Sequence, residues 1–360
     1  MSCLSNSSPP DNAMDPFSVK PLGRTSISLP RLGFGGAGIG NLLNIVVSEA
    51  EAQATVEAAW TAGFRYYDTS PWYGRGLSEK RIGSVLHARD RRALILSTKV
   101  GRVLRAPADP QAFNNSQRDW ARGLQFEHHF DYSYDGVMRS YEDSLQRLGM
   151  NRVDLLIIHD LDRANFGSDA RVQAHLAQLT TGGMRALIEL KSAGVIKAIG
   201  AGVNRIGTIP QFLEHLDLDF FLVASPYTLA EQPALDVEFP LCAERGVGII
   251  VGTPLASGIL ATGPVSGATY NYRQPSDEER SRVGSMEQVC LSFGVPLAAA
   301  ALQFPLHHPL VASVIPGAVA PQHATRNVET MCTEIPDALW AALKDEGLLR
   351  PDAPTPGDPE

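Results

Sequence analysis

The chain is poor in cysteine, shows no excess of positive charge and has no apolar run long enough to cross a bilayer. Its four cysteines, Cys3, Cys242, Cys290 and Cys332, stand far apart and form no C-x-x-C pair or zinc spacing. That excludes a disulfide framework and a zinc ribbon, and it fits a reducing cytoplasm. The 39 acidic residues outnumber the 31 basic ones, for a net charge of −8. A nucleic-acid binder usually shows the opposite bias, so none is expected as a partner. The start, MSCLSNSSPPDNAMDPF, lacks the charged and apolar regions of a secretory signal. It reads as a loose tail over residues 1–17, and PDAPTPGDPE reads as a second tail within 349–360.

What is present supports a large core. The hydrophobic fraction is 44% over 360 residues. Short apolar runs alternate with amphipathic stretches from end to end. ISLPRLGFG, FRYYDTS, ALILSTKVG, VDLLIIHD, VIKAIGAG, DFFLVAS, VGIIVGTP and VASVIPGA read as strands. Their cores, such as LLII, FFLV and GIIV, are continuously apolar, as expected of parallel strands covered on both faces. Between them lie helical patterns, one with Ser48 as N-cap and Gly63 as stop, another with Val137, Tyr141, Leu145 and Leu148 on one stripe. About eight such units, with no linker, predict a single-domain α/β fold, a (β/α)8 TIM barrel over residues 18–348. LGRTSISLPRLG is expected as a hairpin plugging the barrel floor. Two long loops, from Val103 to Tyr134 and from Gly258 to Glu278, follow strand ends on the catalytic face and are expected to shape a pocket.

Three strands end in a titratable residue: Asp68, Lys99 and His159, with Tyr73 five residues past Asp68. Each alone has an ordinary structural reading, as turn, surface charge or packing. Their coincidence at successive strand ends singles them out, because a charge closing an apolar strand is costly unless paired or used. Hydride transfer at a carbonyl needs a proton donor, and a phenol with a pKa of about 10 needs help near neutrality. Lys99 is placed to lower it, Asp68 to hold Lys99, and His159 to bond the reacting oxygen. No metal site is evident: His128 and His129, and His307 and His308, are adjacent pairs that do not face one way on a helix.

These residues sit in AGFRYYDTSPWYGRGLSEKRIGSVL, LSTKVGR, SLQRLGMNRVDLLIIHD, AGVIKAIGAGVN and SVIPGA. Together these stretches resemble the aldo-keto reductase family over roughly residues 20–330. The resemblance implies Tyr73 as general acid/base, Lys99 and Asp68 as its tuning partners and His159 as the substrate-positioning group. FDYSYDGVMRSYEDSLQRLG, HDLD, GAGVN and PYTLAEQ further resemble the branch that oxidises D-threo-aldoses such as L-fucose, and pyridoxal. Both substrate types form cyclic hemiacetals. The function implied is oxidation of a sugar hemiacetal to its lactone, with pyridoxal oxidation or general carbonyl reduction as alternatives. A nicotinamide-binding redox-sensor subunit is the non-enzymatic alternative. The partner expected is a small sugar or aldehyde, without a membrane.

GFGGAG places Gly33, Gly35 and Gly38 in G-x-G-x-x-G spacing, but no helix opens at once, so a Rossmann reading is weak. A loop after the first barrel strand, near the nicotinamide or purely structural, fits better. The phosphate-binding loops are expected after the seventh and eighth strands. By the resemblance, Pro254, Leu255, Ser257 and Gly258 line the pyrophosphate, and Gly317, His323, Arg326 and Asn327 lie near the adenosine. Asn204 and Tyr227 are candidates to hold the nicotinamide, with Tyr227 equally suited to barrel packing. NADP-specific relatives usually carry a basic residue and Ser where this chain has Gly317 and Ala318, and often Arg where it has His323. NAD is therefore expected over NADP, with Arg326 leaving NADP possible.

Overall fold

A computed structural model describes residues 14–43, 45–113 and 120–358. Twelve strands follow in chain order among these residues. A hairpin pairs β1 (Val19–Pro21) with β2 (Ser28–Pro30). Then come β3 (Phe34–Gly35), β4 (Tyr66–Asp68) and β5 (Ile95–Val100). A second antiparallel hairpin pairs β6 (Arg102–Arg105) with β7 (Glu127–Phe130). The remainder are β8 (Leu155–His159), β9 (Ala198–Val203), β10 (Phe220–Val223), β11 (Gly248–Val251) and β12 (Val311–Val314). Outside the two hairpins, eight strands pair in parallel in chain order, with helices between them. The first meets the last: Gly35 bridges Gly317 and the Gly35 N–H donates to Pro316 O at 3.0 Å. This is the expected (β/α)8 barrel. A Cβ on Gly35 would sit 2.6 Å from the Ile315 carbonyl oxygen, so glycine is what lets the ring close there.

The apolar runs divide by parity, as a two-sided sheet requires. Leu155 and Ile157 face the barrel interior with Ala198, Phe220, Leu222 and Ile250. Leu156 and Ile158 face the helices. Leu22, Ile27 and Leu29 from the first hairpin join the interior cluster, so that hairpin does plug the barrel. The single strand expected at 27–35 is broken: residues 28–30 belong to the plug and 34–35 to the barrel. The chain has to turn from floor to wall between them.

Local signals explain several helix limits. Ser48 and Glu51 form a reciprocal capping box and Gly63 ends that helix in the left-handed conformation. Ser133 caps the helix Tyr134–Leu148, and Gly149 stops it. Helices at Arg163–Phe166 and Asp169–Gln178 are not announced by the strand–helix alternation. The segment expected as a C-terminal tail lies against the barrel. Arg350 pairs with Asp236 at 2.6 Å, Lys344 with Asp358 at 2.7 Å, and Ala353 is buried. Of the N-terminal tail expected at 1–17, all but the last four residues fall outside the described region, and Phe17 packs edge-on against Phe64. Cys242 and Cys290 are free and buried, and Cys332 is disulfide-bonded. Among the described residues no single helix is long and apolar enough to cross a membrane.

Glu79 ties a helix to the sheet. Its fully buried carboxylate accepts from Thr98 on β5 at 2.7 Å and pairs with Arg147 on the helix Tyr134–Leu148. Glu79→Ala strands Arg147 and Thr98, and should cost about 3–5 kcal/mol in denaturant unfolding. A loss under about 1 kcal/mol would show that water repairs the gap.

Candidate active site

The register of β4 against β5 sets the centre of the site. Asp68 lies opposite Ser97, and Lys99 follows Ser97 on the same face two residues on. Lys99 Nζ donates to Asp68 Oδ2 at 2.7 Å and to the Thr69 carbonyl at 2.8 Å. Ser97 Oγ donates to Asp68 Oδ1 at 2.7 Å, and Tyr66 stands behind Ser97 at 3.2 Å. Asp68 and Lys99 are only 2% and 1% exposed, so neither charge would be tolerated without the other.

Tyr73 and His159 complete the cluster. Lys99 Nζ lies 4.6 Å from the centre of the Tyr73 ring, and the His159 ring meets Tyr73 edge-on at 5.9 Å. His159 Nδ1 is 3.1 Å from Ser70 Oγ, which itself accepts from the Trp72 N–H. The Asp160 carboxylate, 3.5 Å from Nε2, favours the proton on that nitrogen and leaves Nδ1 to accept from Ser70. Burial drives the His159 pKa down to about 3, so the ring is neutral at ordinary pH.

The expected lowering of the Tyr73 pKa by Lys99 is not what the structure favours. Burial pushes the phenol well above its usual value, and the nearby charges of Asp68 and Asp160 push the same way. The physical reason is that Lys99 is already neutralised by Asp68 at 2.7 Å.

Asp160, within the HDLD stretch but given no role from the sequence, lies beside these residues. It lines the cleft, lies 3.5 Å from His159 Nε2 and pairs with Arg102 at 2.8 Å. Arg102 also reaches His128 Nε2 at 2.9 Å, beneath the Trp72 ring. The loop 103–134 thus contributes the β6–β7 hairpin. It also brings Trp120 to 5.5 Å from Tyr73. Adjacent His307 and His308 pack separately, on Trp340 and on Tyr227 and Phe239.

From this cluster a cleft of about 620 Å³ runs across the strand ends. Asn204, Pro254, Leu255, Ser257 and Gly258 all line it, and so do Gly317, His323, Arg326 and Asn327 farther along. Gly35, Gly36 and Gly38 form part of the wall too, so the glycine-rich turn serves both barrel closure and the cleft. Ala256, Ser257 and Gly258 take successive left-handed conformations, with φ of 47°, 64° and 127°. The N–H groups of Ala256 and Gly258 are bonded to Thr253 O at 3.0 Å and Leu255 O at 2.8 Å, which fixes the turn along the cleft wall. Beside Gly317 the space a side chain would fill is open apart from Gly35 O at 3.8 Å. An elongated cleft with bare backbone at its middle and catalytic groups at one end fits a dinucleotide in form and chemistry.

Tyr227 is not part of it. Its ring is fully buried against Phe239 and Phe304, in the core rather than on the cleft. Besides Tyr73, Tyr272 in the loop 258–278 lines the cleft, with its backbone N–H bonded to Ser257 Oγ at 3.0 Å. Only the three-dimensional path of that loop reveals it.

Comparison with known proteins agrees with this geometry. Residues 31–346 match the aldo/keto reductase family. The chain is 42% identical over 337 residues to the pyridoxal 4-dehydrogenase of Microbacterium luteolum, covering 91% of this chain and 97% of that one. It is 39% identical over 332 residues to the D-threo-aldose 1-dehydrogenase of a Pseudomonas species, covering 92% and 96%. A holo-form aldo-keto reductase from Bacillus halodurans superposes with a TM-score of 0.70 at 25% identity, covering 93% and 97%. Fold, site and relatives place the chain, as a nicotinamide-using oxidoreductase, in the aldo/keto reductase family.

Proposed function

We propose that the enzyme oxidises a cyclic hemiacetal, most simply a D-threo-aldose such as L-fucose, to its lactone with NAD⁺. The observation that carries this reading is the Tyr73 phenol set between Lys99 and His159 at one end of the cleft. The D-threo-aldose relative, at 39% identity, supports the substrate. A nicotinamide cofactor, when bound, supplies the hydride acceptor. Pro254, Leu255, Ser257 and Gly258 are assigned to its pyrophosphate, and Asn204 to its amide. Gly317, His323, Arg326 and Asn327 are assigned to its adenosine.

The remaining work belongs to the chain. Tyr73 takes the hemiacetal hydroxyl proton as the hydride leaves the same carbon, and the ring oxygen stays bonded to give a lactone. Neutral His159 donates from Nε2 to the reacting oxygen and orients it. Lys99, fixed by Asp68, holds its ammonium 4.6 Å from the centre of the Tyr73 ring. In the reverse direction the raised Tyr73 pKa keeps a proton ready for the carbonyl oxygen.

Preference for NAD⁺ follows from the far end of the cleft. Among the described lining residues the permanent cations are Lys99, committed to Asp68, and Arg326. His323 is held below its ordinary pKa by burial and by Arg326, so it brings no charge to a 2′-phosphate. A second reading, pyridoxal as its hemiacetal, is favoured by the flat rings of Trp72 and Trp120 near Tyr73.

NADH formation with NAD⁺ across a panel of aldoses and pyridoxal tests both readings. Activity confined to plain aldehydes would remove the hemiacetal reading. Tyr73→Phe should retain cofactor binding and lose about 10²–10⁴-fold in kcat. Retained turnover would remove Tyr73 from its role. Fluorescence titration should give NAD⁺ at least about tenfold tighter than NADP⁺, and the reverse order would refute the assignment. Because the Tyr73 pKa is raised, the base form grows with pH, so oxidation should accelerate through neutrality into alkali while reduction stays level. A falling oxidation rate over that range would point to a different base.

A further inference from the structure

Asp160 lies on the cleft wall. It follows the last residue of β8 with φ at 51°, in the left-handed region that residues bearing a Cβ seldom adopt. Its side chain lies at the reacting end: Oδ2 is 3.5 Å from His159 Nε2, and Oδ1 accepts from Asn204 at 3.3 Å. Burial opposes its ionisation, but the neighbouring His159 ring and the Arg102 guanidinium prevail and hold its pKa below the ordinary value.

Arg102 is a counter-ion with little freedom. It bonds Asp160 Oδ2 at 2.8 Å and Asn165 Oδ1 at 2.8 Å, and lies 4.2 Å from the Trp72 ring and 4.4 Å from that of Phe130. An ionised carboxylate offers about four lone-pair sites. Arg102 takes one firmly and Asn204 takes one at the long limit of a bond. The remaining capacity belongs to a charged acceptor on a cleft wall, beside the imidazole that holds the reacting oxygen, with apolar Leu222 and Ala224 also on the lining. Charged acceptors are strong partners for a hydroxyl and poor neighbours for a methylene.

We propose that Asp160 determines specificity by accepting a hydrogen bond from the substrate hydroxyl on the carbon next to the one oxidised. It thereby selects hydroxylated hemiacetals over plain aldehydes. The assignment rests on the hydroxylated substrate proposed above. Asn204, bonded to the same carboxylate, couples this contact to the assigned nicotinamide end of the cleft.

The test compares L-fucose with 2-deoxy-L-fucose in wild type and in Asp160→Asn, at saturating NAD⁺. Wild type should prefer the parent by at least about tenfold in kcat/KM. In the variant that preference should collapse towards unity, the parent losing at least about tenfold more kcat/KM than the deoxy sugar. Equal loss on both sugars overturns the proposal and leaves Asp160 a structural partner of Arg102. If the single variant does not fold, Arg102→Gln with Asp160→Asn removes both buried charges and is read by the same ratio. If wild type oxidises neither sugar, the lactone reading fails separately. The ratio is then measured for reduction of glyceraldehyde against propionaldehyde, where an unchanged ratio in the variant overturns the role of Asp160. Turnover of neither pair by wild type overturns both.

Discussion

The buried contact between Asp68 and Lys99, 2.7 Å long, organises the site around it. Neither charge is tolerable alone at such depth, and together they are stabilised by further hydrogen bonds to each partner. Thr69 takes a second proton of Lys99, and Ser97 bonds the second oxygen of Asp68 with Tyr66 behind it. Those partners arrive through barrel register, since β4 and β5 pair Asp68 with Ser97 and the pleat returns Lys99 to the same face. The opposite parity of β5 serves the outside, where Thr98 bonds Glu79 beneath a helix. A slip of one residue between these strands would turn Lys99 into the helix layer and Thr98 into the barrel. Catalytic geometry and packing are therefore the same constraint.

That neutral pair also explains the proton chemistry. A lone ammonium beside a phenol would lower its pKa. Here the ammonium is matched by Asp68, and Asp160 adds a further negative charge, so burial dominates and Tyr73 stays protonated. Asp160 is balanced in turn by Arg102. The cluster holds two cations and two anions with a neutral imidazole between them. Such an arrangement avoids a buried net charge and still supplies a proton donor, a hydrogen-bond donor and a charged acceptor at the reacting end.

Much of this was legible in the sequence, and the limit has a physical character. Apolar runs with capped helices between them specify parallel strands, because both sheet faces are covered. Asp68 and His159 stand at strand ends, Lys99 one residue before its strand ends, and Tyr73 shortly after β4, so the strand pattern alone brought them together. What escaped depends on where loops travel. Tyr227 and Tyr272 are both aromatics in irregular segments, yet one is packed on Phe239 in the core and the other lines the cleft. Asp160 carries no role of its own in the sequence until Arg102 is seen to meet it across 58 positions of chain. The C-terminal segment is polar enough to resemble a tail, and only the ion pairs of Arg350 and Lys344 anchor it.

The two ends of the cleft are built by different means. The middle and far end rest on small residues and backbone after β11 and β12, where Gly258 and Gly317 keep the surface bare. Backbone donors make few demands on side-chain identity, so this end can be kept while much else in the sequence changes. The reacting end draws on side chains from the β6–β7 hairpin and the loop 258–278: Arg102 behind Asp160, Trp120 beside Tyr73, and Tyr272 opposite. Changes there alter the wall that a substrate meets without moving Asp68 or Lys99, which are held inside the barrel by their own partners. Relatives of nearly equal identity that bear the names of a sugar dehydrogenase and a pyridoxal dehydrogenase are what such a division produces. On the proposed assignment, specificity in this chain is to be sought in the hairpin, in the loop and in the carboxylate they enclose, and not in the four residues proposed to carry the chemistry.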